Sequence, residues 1–180
     1  MSTLAILTLI PAILFLPLHA ALLVKPAWVQ EGVRRFPRNR WCGYALAVAA
    51  IAWAAWLLHG LPLGRFESLK TWLIPVTIIF GGLVCYYMEE LLAPRALGAL
   101  LLLYPAPLLE AARLHESDWS VVMSVLAYIM VIKGMTLLLS PYRFRHLTER
   151  FLRTDAVCRL AGTGGLAVDA LLLLLALTVY

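Results

Sequence analysis

The sequence predicts an all-α membrane protein whose six transmembrane helices form three two-helix hairpins. Three observations predict this class: the composition, the spacing of the apolar segments and the placement of the basic residues. Of the 180 residues, 63% are hydrophobic and only 14% are charged, and the mean hydropathy is +0.88. A soluble domain of this size cannot cover so much apolar surface, so its main solvent must be lipid. We therefore expect one integral membrane domain over residues 1–180.

Apolar segments of spanning length follow one another along the chain, since about 20 helical residues cross a hydrocarbon layer of about 30 Å. The first is expected to be a retained helix rather than a secretory signal, because no basic residue precedes it. The fourth carries Pro105 and Pro107, and it reaches spanning length only by continuing through Arg113 with a proline kink. The expected helices are residues 3–24, 42–62, 72–88, 96–114, 119–139 and 160–180.

The lysine and arginine residues indicate whether the fourth segment spans. Connectors 25–41 and 140–159 hold five each, 63–71 holds two, and 89–95 and 110–118 hold one each. With six spans both five-charge connectors lie on the same side, whereas with five spans one of them lies outside. Because basic residues concentrate in cytoplasmic loops, we predict six spans with both termini on the outer side of the membrane. This orientation accounts for the net charge of +5, so nucleic-acid binding is not expected.

The two basic connectors resemble each other. When Pro26 is aligned with Pro141, Arg35 and Phe36 fall on Arg150 and Phe151, and Arg38 falls on Arg153. This agreement predicts an internal repeat, with a weaker echo at Pro94 in a degenerate middle hairpin. In the second connector the apolar residues recur at helical spacing opposite arginines, which favours an interfacial helix over the alternative of a plain cytoplasmic loop.

Two sets of residues follow from these connectors. The expected contacts with the bilayer's anionic headgroups are Arg34, Arg35, Phe36, Arg38, Arg143, Arg145, Arg150, Phe151 and Arg153. The helix-end prolines are Pro26, Pro94 and Pro141.

The segment KGMTLLLSPYRFRHL…TDAVCRLAGTGGLAVDALLLLL resembles the YjeT-type proteins, which are small, uncharacterised two-helix proteins of the bacterial inner membrane. The matching positions within residues 121–178 are Gly134, Pro141, Asp155, Arg159 and Gly162. Where that family carries an acidic residue, this chain has Lys133, so no role for that charge is carried over. The resemblance, echoed at residues 5–60, implies a hairpin architecture and a location in the bacterial inner membrane. The outer side, where both termini are expected, is then the periplasm.

Two charged residues, Lys133 and Asp169, lie well inside the predicted spans, away from the helix ends. A charge at the centre of a membrane helix costs roughly 2.5–3.5 kcal/mol on insertion scales. We therefore predict an intramembrane ion pair between Lys133 and Asp169. The pair could fix the register of two helices or act as a proton or ion relay.

No pattern of residues indicates a cofactor, a metal or a catalytic site. His19 and His59 are expected to lie more than about 10 Å apart along the membrane normal, too far to share one haem iron. The three cysteines lack metal-ligand spacing, and no catalytic motif is present. Glu89 and Glu90 could bind a cation or act as acid and base, although such a pair more often ends a membrane helix in water.

The leading hypothesis is therefore a non-enzymatic accessory, scaffold or assembly subunit that works with other membrane proteins or with further copies of itself. The alternative is a small transporter or channel that uses Lys133 and Asp169, because repeats and broken helices are common in transporters.

Overall fold

Helices and short turns make up the chain. The computed structural model describes residues 2–88, 91–140, 142 and 154–180. These residues contain no strand, and six of their helical segments are long and apolar enough to cross a membrane. The predicted class, an all-α multi-pass membrane protein, is confirmed. The helices are α1 (Thr3–Val24), α2 (Pro26–Arg35), α3 (Arg40–Gly60), α4 (Lys70–Tyr87), α5 (Leu92–Leu103), α6 (Pro105–Arg113), α7 (Ser120–Leu139) and α8 (Asp155–Thr178).

The fourth span consists of two helices, α5 and α6, which meet at Tyr104. Pro105 opens α6, and because proline has no backbone N–H, the helical hydrogen-bond ladder is interrupted at this point. The predicted proline kink thus falls at this junction. The Tyr104 hydroxyl donates a hydrogen bond to the carbonyl oxygen of Leu7, which ties the junction to α1.

α2 is a short amphipathic helix that lies against the ends of α1 and α8. Pro26 occupies its first turn, where the missing N–H costs nothing. Its apolar side places Val29, only 4% exposed, in a buried cluster with Leu22 and Cys158. Gln30 Nε2 also donates to Asp155 Oδ1 over 3.1 Å. A 3₁₀ turn, Phe36–Arg38, then leads to α3.

The helices of each predicted hairpin are consecutive in the chain, yet their main packing partners lie elsewhere. α1 packs most extensively on α8, α3 packs on α5 and α4, and α7 packs on α5 and α6. Chain order does not set helix packing in lipid, where close approach at small residues decides which helices associate.

Two glycines mark a close crossing of α5 and α7. A Cβ added at Gly98 would lie 2.9 Å from the Gly134 carbonyl oxygen, and one added at Gly134 would lie 2.8 Å from the Gly98 carbonyl oxygen. Each glycine therefore leaves room for the backbone of the other helix.

The largest buried cluster joins α1, α6, α7 and α8 at the end of the bundle away from α2. Its members come from the first half of α1 and α7 and the second half of α8. They are Leu4, Ala12, Leu108, Ala112, Met123, Ala127, Leu172 and Leu175.

Candidate intramembrane site

α1 and α8 meet along a side of α8 that carries glycine. At Gly162 an added Cβ would lie 3.0 Å from the backbone carbonyl oxygen of His19, so the two helices are in close contact here. One turn further along α8, Gly165 faces the side chain of His19. A Cβ at Gly165 would lie 2.7 Å from Nε2 of His19, well inside van der Waals contact. Gly165 thus provides the space in which the imidazole lies.

Beside this space, His19 and Asp169 form a hydrogen bond between the two spans. Nδ1 of His19 lies 2.7 Å from Oδ2 of Asp169. The Asp169 side chain is 3% exposed, whereas that of His19 is 23% exposed. When Nδ1 carries the proton, His19 donates to the carboxylate, which satisfies a polar group that would otherwise be buried at a cost of several kcal/mol.

The pair joins an almost fully buried carboxylate to a partly exposed imidazole, and both groups can bind a proton. With one proton, the pair consists of a neutral imidazole bonded to a carboxylate. With a second proton, the imidazole becomes an imidazolium and the carboxylate stays ionised. The ring of Phe15 lies beside His19 on α1, with centroids 6.1 Å apart and the planes tilted by 31°. The arrangement can therefore act as an interhelical clamp, or as a single proton-binding station.

Neither a family model, nor a curated protein, nor a solved structure matches this chain significantly.

The predicted ion pair between Lys133 and Asp169 is not formed. Asp169 is bonded to His19, and Lys133 lies exposed on α7. The reason is the orientation of α7, whose buried Gly134 faces α5, so that the adjacent Lys133 points to another side of the helix. α7 packs mainly on α5 and α6, while α8 packs mainly on α1.

α8 also differs from the expectation, because it begins at Asp155 rather than at residue 160. Asp169 lies about 20 Å along α8 from its first residue, at 1.5 Å per residue. The first turns of α8 lie beside α2, where Gln30 contacts Asp155 and Cys158. His19 lies about 8 Å from the end of α1 at Val24.

The residues expected to contact headgroups fall into two groups. In the first connector, Arg34, Arg35 and Arg38 are exposed and Phe36 is half-buried. Pro26 opens α2, and Pro94 is buried in the first turn of α5. Headgroup contact by the three arginines and by Phe36 stays a prediction. The following lie outside the described residues: Glu89, Glu90, Pro141, Arg143, Arg145, Arg150, Phe151 and Arg153.

Sequence reasoning found Asp169 but missed its partner. His19 was weighed only as a haem ligand, although its position near the inner end of α1 was compatible with pairing. Within the described ranges, no group of three or more histidine, cysteine or acidic residues could hold a metal ion.

Proposed function

We propose that this chain is a non-enzymatic accessory or assembly subunit of a membrane complex, and that it binds another helical membrane protein through one side of α4. The observation that carries this proposal is the position of α4 in the bundle. α4 packs on α3 and on the 3₁₀ segment that precedes it, Gly64–Leu69, and none of its residues is buried. The other five spanning segments of the described chain all bury residues among their neighbours.

The two sides of α4 differ at its glycine pair. Gly81 faces α3, where an added Cβ would lie 2.6 Å from Cδ1 of Ile51. At Gly82 an added Cβ would meet nothing within 4 Å, and the nearby Ile79 and Tyr86 are 63% and 74% exposed. Ile79, Gly82 and Tyr86 recur at helical spacing, so they share a side that we call the outer face of α4. A small residue between large apolar ones lets a second helix approach closely in lipid.

Photo-crosslinking in native membranes tests the accessory role. A benzophenone amino acid at position 79 should capture one discrete membrane protein, which mass spectrometry would identify as a partner or as a second copy. Replacing Gly82 with tryptophan should lower this yield about tenfold, equivalent to about 1.4 kcal/mol of lost packing.

The matched control places the same crosslinker at Leu160 of α8, which is 73% exposed. This position is expected to react with lipid only. If positions 79 and 160 give the same products, α4 is not a docking surface and the accessory role loses its support.

We further propose that the membrane is the bacterial inner membrane and that both termini are periplasmic. The resemblance to the YjeT-type proteins supports the choice of membrane. The distribution of basic residues supports the orientation, because five lie in residues 25–41 and five in residues 140–159. An even number of spans separates these connectors, so one orientation places both on the cytoplasmic side.

An internal repeat and a relationship to the YjeT-type proteins complete the proposal. The support is a partly shared burial pattern when Pro26 is aligned with Pro141, because five of the nine buried positions of α1 and α3 then fall on buried positions of α7 and α8. The matched pairs are Thr8 with Met123, Ala12 with Ala127, Leu22 with Leu137, Gly43 with Cys158 and Ala47 with Gly162.

A second candidate function is proton conduction across the membrane, and the buried His19–Asp169 pair favours it. Ionisable residues inside membrane spans mark proton relays in pumps and transporters. In this candidate, His19 takes the place that the sequence interpretation gave to Lys133.

Proton flux into liposomes tests this second candidate. With the purified chain reconstituted and a potassium diffusion potential imposed, a trapped pH-sensitive dye should report faster acidification than in empty liposomes. Asp169→Asn, which keeps the shape but cannot ionise, should return the rate to that of empty liposomes. If the unchanged chain conducts no faster than empty liposomes, transport of protons is ruled out as its function.

A further inference from the structure

A pocket with an excess of positive charge lies between α2 and the start of α3. Its volume is about 570 Å³, and its lining includes Gln30, Glu31, Arg34, Arg35 and Arg38. The pocket is separate from the His19–Asp169 pair and from the outer face of α4. It is formed where the chain turns through Phe36–Arg38.

The charges of this pocket are only partly balanced. Glu31 Oε1 pairs with Arg35 Nη2 at 2.5 Å, one turn away on α2. Arg34 and Arg38 form no ion pair with any residue that the structure describes. Three arginines and one carboxylate leave an excess of two positive charges. A dianion, or two monoanions, would neutralise them.

The scaffold that carries these arginines is held in place by the rest of the molecule. Val29 on the opposite side of α2 is buried with Leu22 and Cys158. Gln30, which lines the pocket, donates hydrogen bonds to Asp155 Oδ1 at 3.1 Å and to Cys158 Sγ at 3.3 Å. Asn39 accepts a hydrogen bond from the Cys42 backbone N–H over 3.2 Å and so fixes the start of α3. The arginines therefore project from a backbone that is fixed on three sides.

Two tryptophans place the pocket at the level of the lipid headgroups. Trp28 on α2 is 71% exposed, and Trp41 in the first turn of α3 is 85% exposed. Exposed tryptophans collect at the boundary between hydrocarbon and water. A second, largely apolar pocket of about 380 Å³ lies at the corner between α1 and α2 and is lined by Val24 and Trp28. Space for a hydrocarbon chain therefore lies at the beginning of the same helix that carries the basic pocket at its end.

We infer that α2 and the turn after it form a binding site for a phosphate group carried by an anionic lipid, with Arg34 and Arg38 as its main ligands. Guanidinium groups bind phosphate oxygens with paired hydrogen bonds. A phosphate monoester carries about −1.5 to −2 charges at neutral pH, so it matches the excess charge better than the single charge of a phosphodiester.

Native mass spectrometry of the full chain in detergent tests the site, with phosphatidic acid, phosphatidylglycerol and phosphatidylcholine of matched acyl chains as probes. We expect one phosphatidic acid to bind about tenfold more tightly than phosphatidylcholine, with phosphatidylglycerol between them. Arg34→Gln combined with Arg38→Gln should remove about tenfold of the affinity for phosphatidic acid.

The matched control is Arg65→Gln combined with Arg113→Gln, which removes the same charge from exposed positions in the connectors on the opposite side of the bundle. Binding to this control should stay within about twofold of the unchanged chain. The variant Arg34→Lys with Arg38→Lys keeps the charge and guards against misfolding. It should lose the preference for the monoester, because lysine lacks the planar fork.

The possible outcomes separate the sources of phosphate. If excess inorganic phosphate leaves the bound phosphatidic acid in place, the result supports a site for a phosphate group that is carried by a lipid. If inorganic phosphate displaces it completely, the site takes a free phosphate and the lipid assignment is overturned. If the Arg34/Arg38 glutamine variant and the Arg65/Arg113 control bind phosphatidic acid equally, there is no site at α2.

Discussion

Asp169→Ala is expected to lower the free energy of unfolding by about 1–2 kcal/mol, because it removes the hydrogen bond that joins His19 to the carboxylate between two helices. The measurement is helix content by circular dichroism as the chain, in detergent micelles, is titrated with sodium dodecyl sulfate. Lys133→Met is the control, since Lys133 is exposed. It should change the stability by no more than about 0.5 kcal/mol.

Two glycine variants of α8 test independently whether the His19 ring lies beside Asp169. Gly165→Ala places a methyl group where the His19 ring lies, whereas Gly164→Ala enters open space. Only the first should reproduce the loss seen on removing Asp169. If Lys133→Met is as damaging as Asp169→Ala, the ion pair predicted from the sequence describes the protein better than the His19–Asp169 pair does.

The second large effect is expected at the crossing of α5 and α7. Gly98→Ala should destabilise the fold by about 2 kcal/mol, because its methyl group would meet the Gly134 carbonyl oxygen and the Leu138 backbone nitrogen, at 2.9 and 3.0 Å. Backbone atoms cannot rotate away as a flexible side chain can. The two helices must move apart instead, with loss of packing along both.

Gly82→Ala is the matched control for this crossing, and its effect should have the opposite sign. The position is helical and open, so alanine should stabilise α4 by as much as about 1 kcal/mol. Both variants are compared in the same detergent titration. A stabilising Gly98→Ala would show that α5 and α7 do not approach each other at these glycines.

The number and positions of the spans could be predicted because each depends on a local property. The length of an apolar run such as Thr3–Val24 indicates by itself that the helix can span the membrane. The break at Tyr104 follows directly from Pro105. The start of α8 was placed too late. Asp155 and Arg159 make the first turns look like connector, yet these turns pack beside α2.

The partner of Asp169 could not be derived in the same way, because it depends on which helices pack together. Assuming that neighbours in sequence are neighbours in space led to Lys133. A histidine near the inner end of α1 and a glycine one turn before Asp169 were signals of the true arrangement. Neither residue alone indicates the pairing, because the His19 ring fits beside Asp169 only where Gly165 leaves space for it.

The pairing of α1 with α8 also has a consequence for how the chain assembles in the membrane. His19 and Asp169 are separated by 150 residues, which a ribosome adds in about 8 to 30 seconds at 5–20 residues per second. During that interval α1 is already synthesised but lacks its principal partner, and its histidine has no carboxylate. Completion of the bundle is therefore a late, long-range event. The newly made first helix is the part of the chain most in need of a chaperone or of an insertase that retains it.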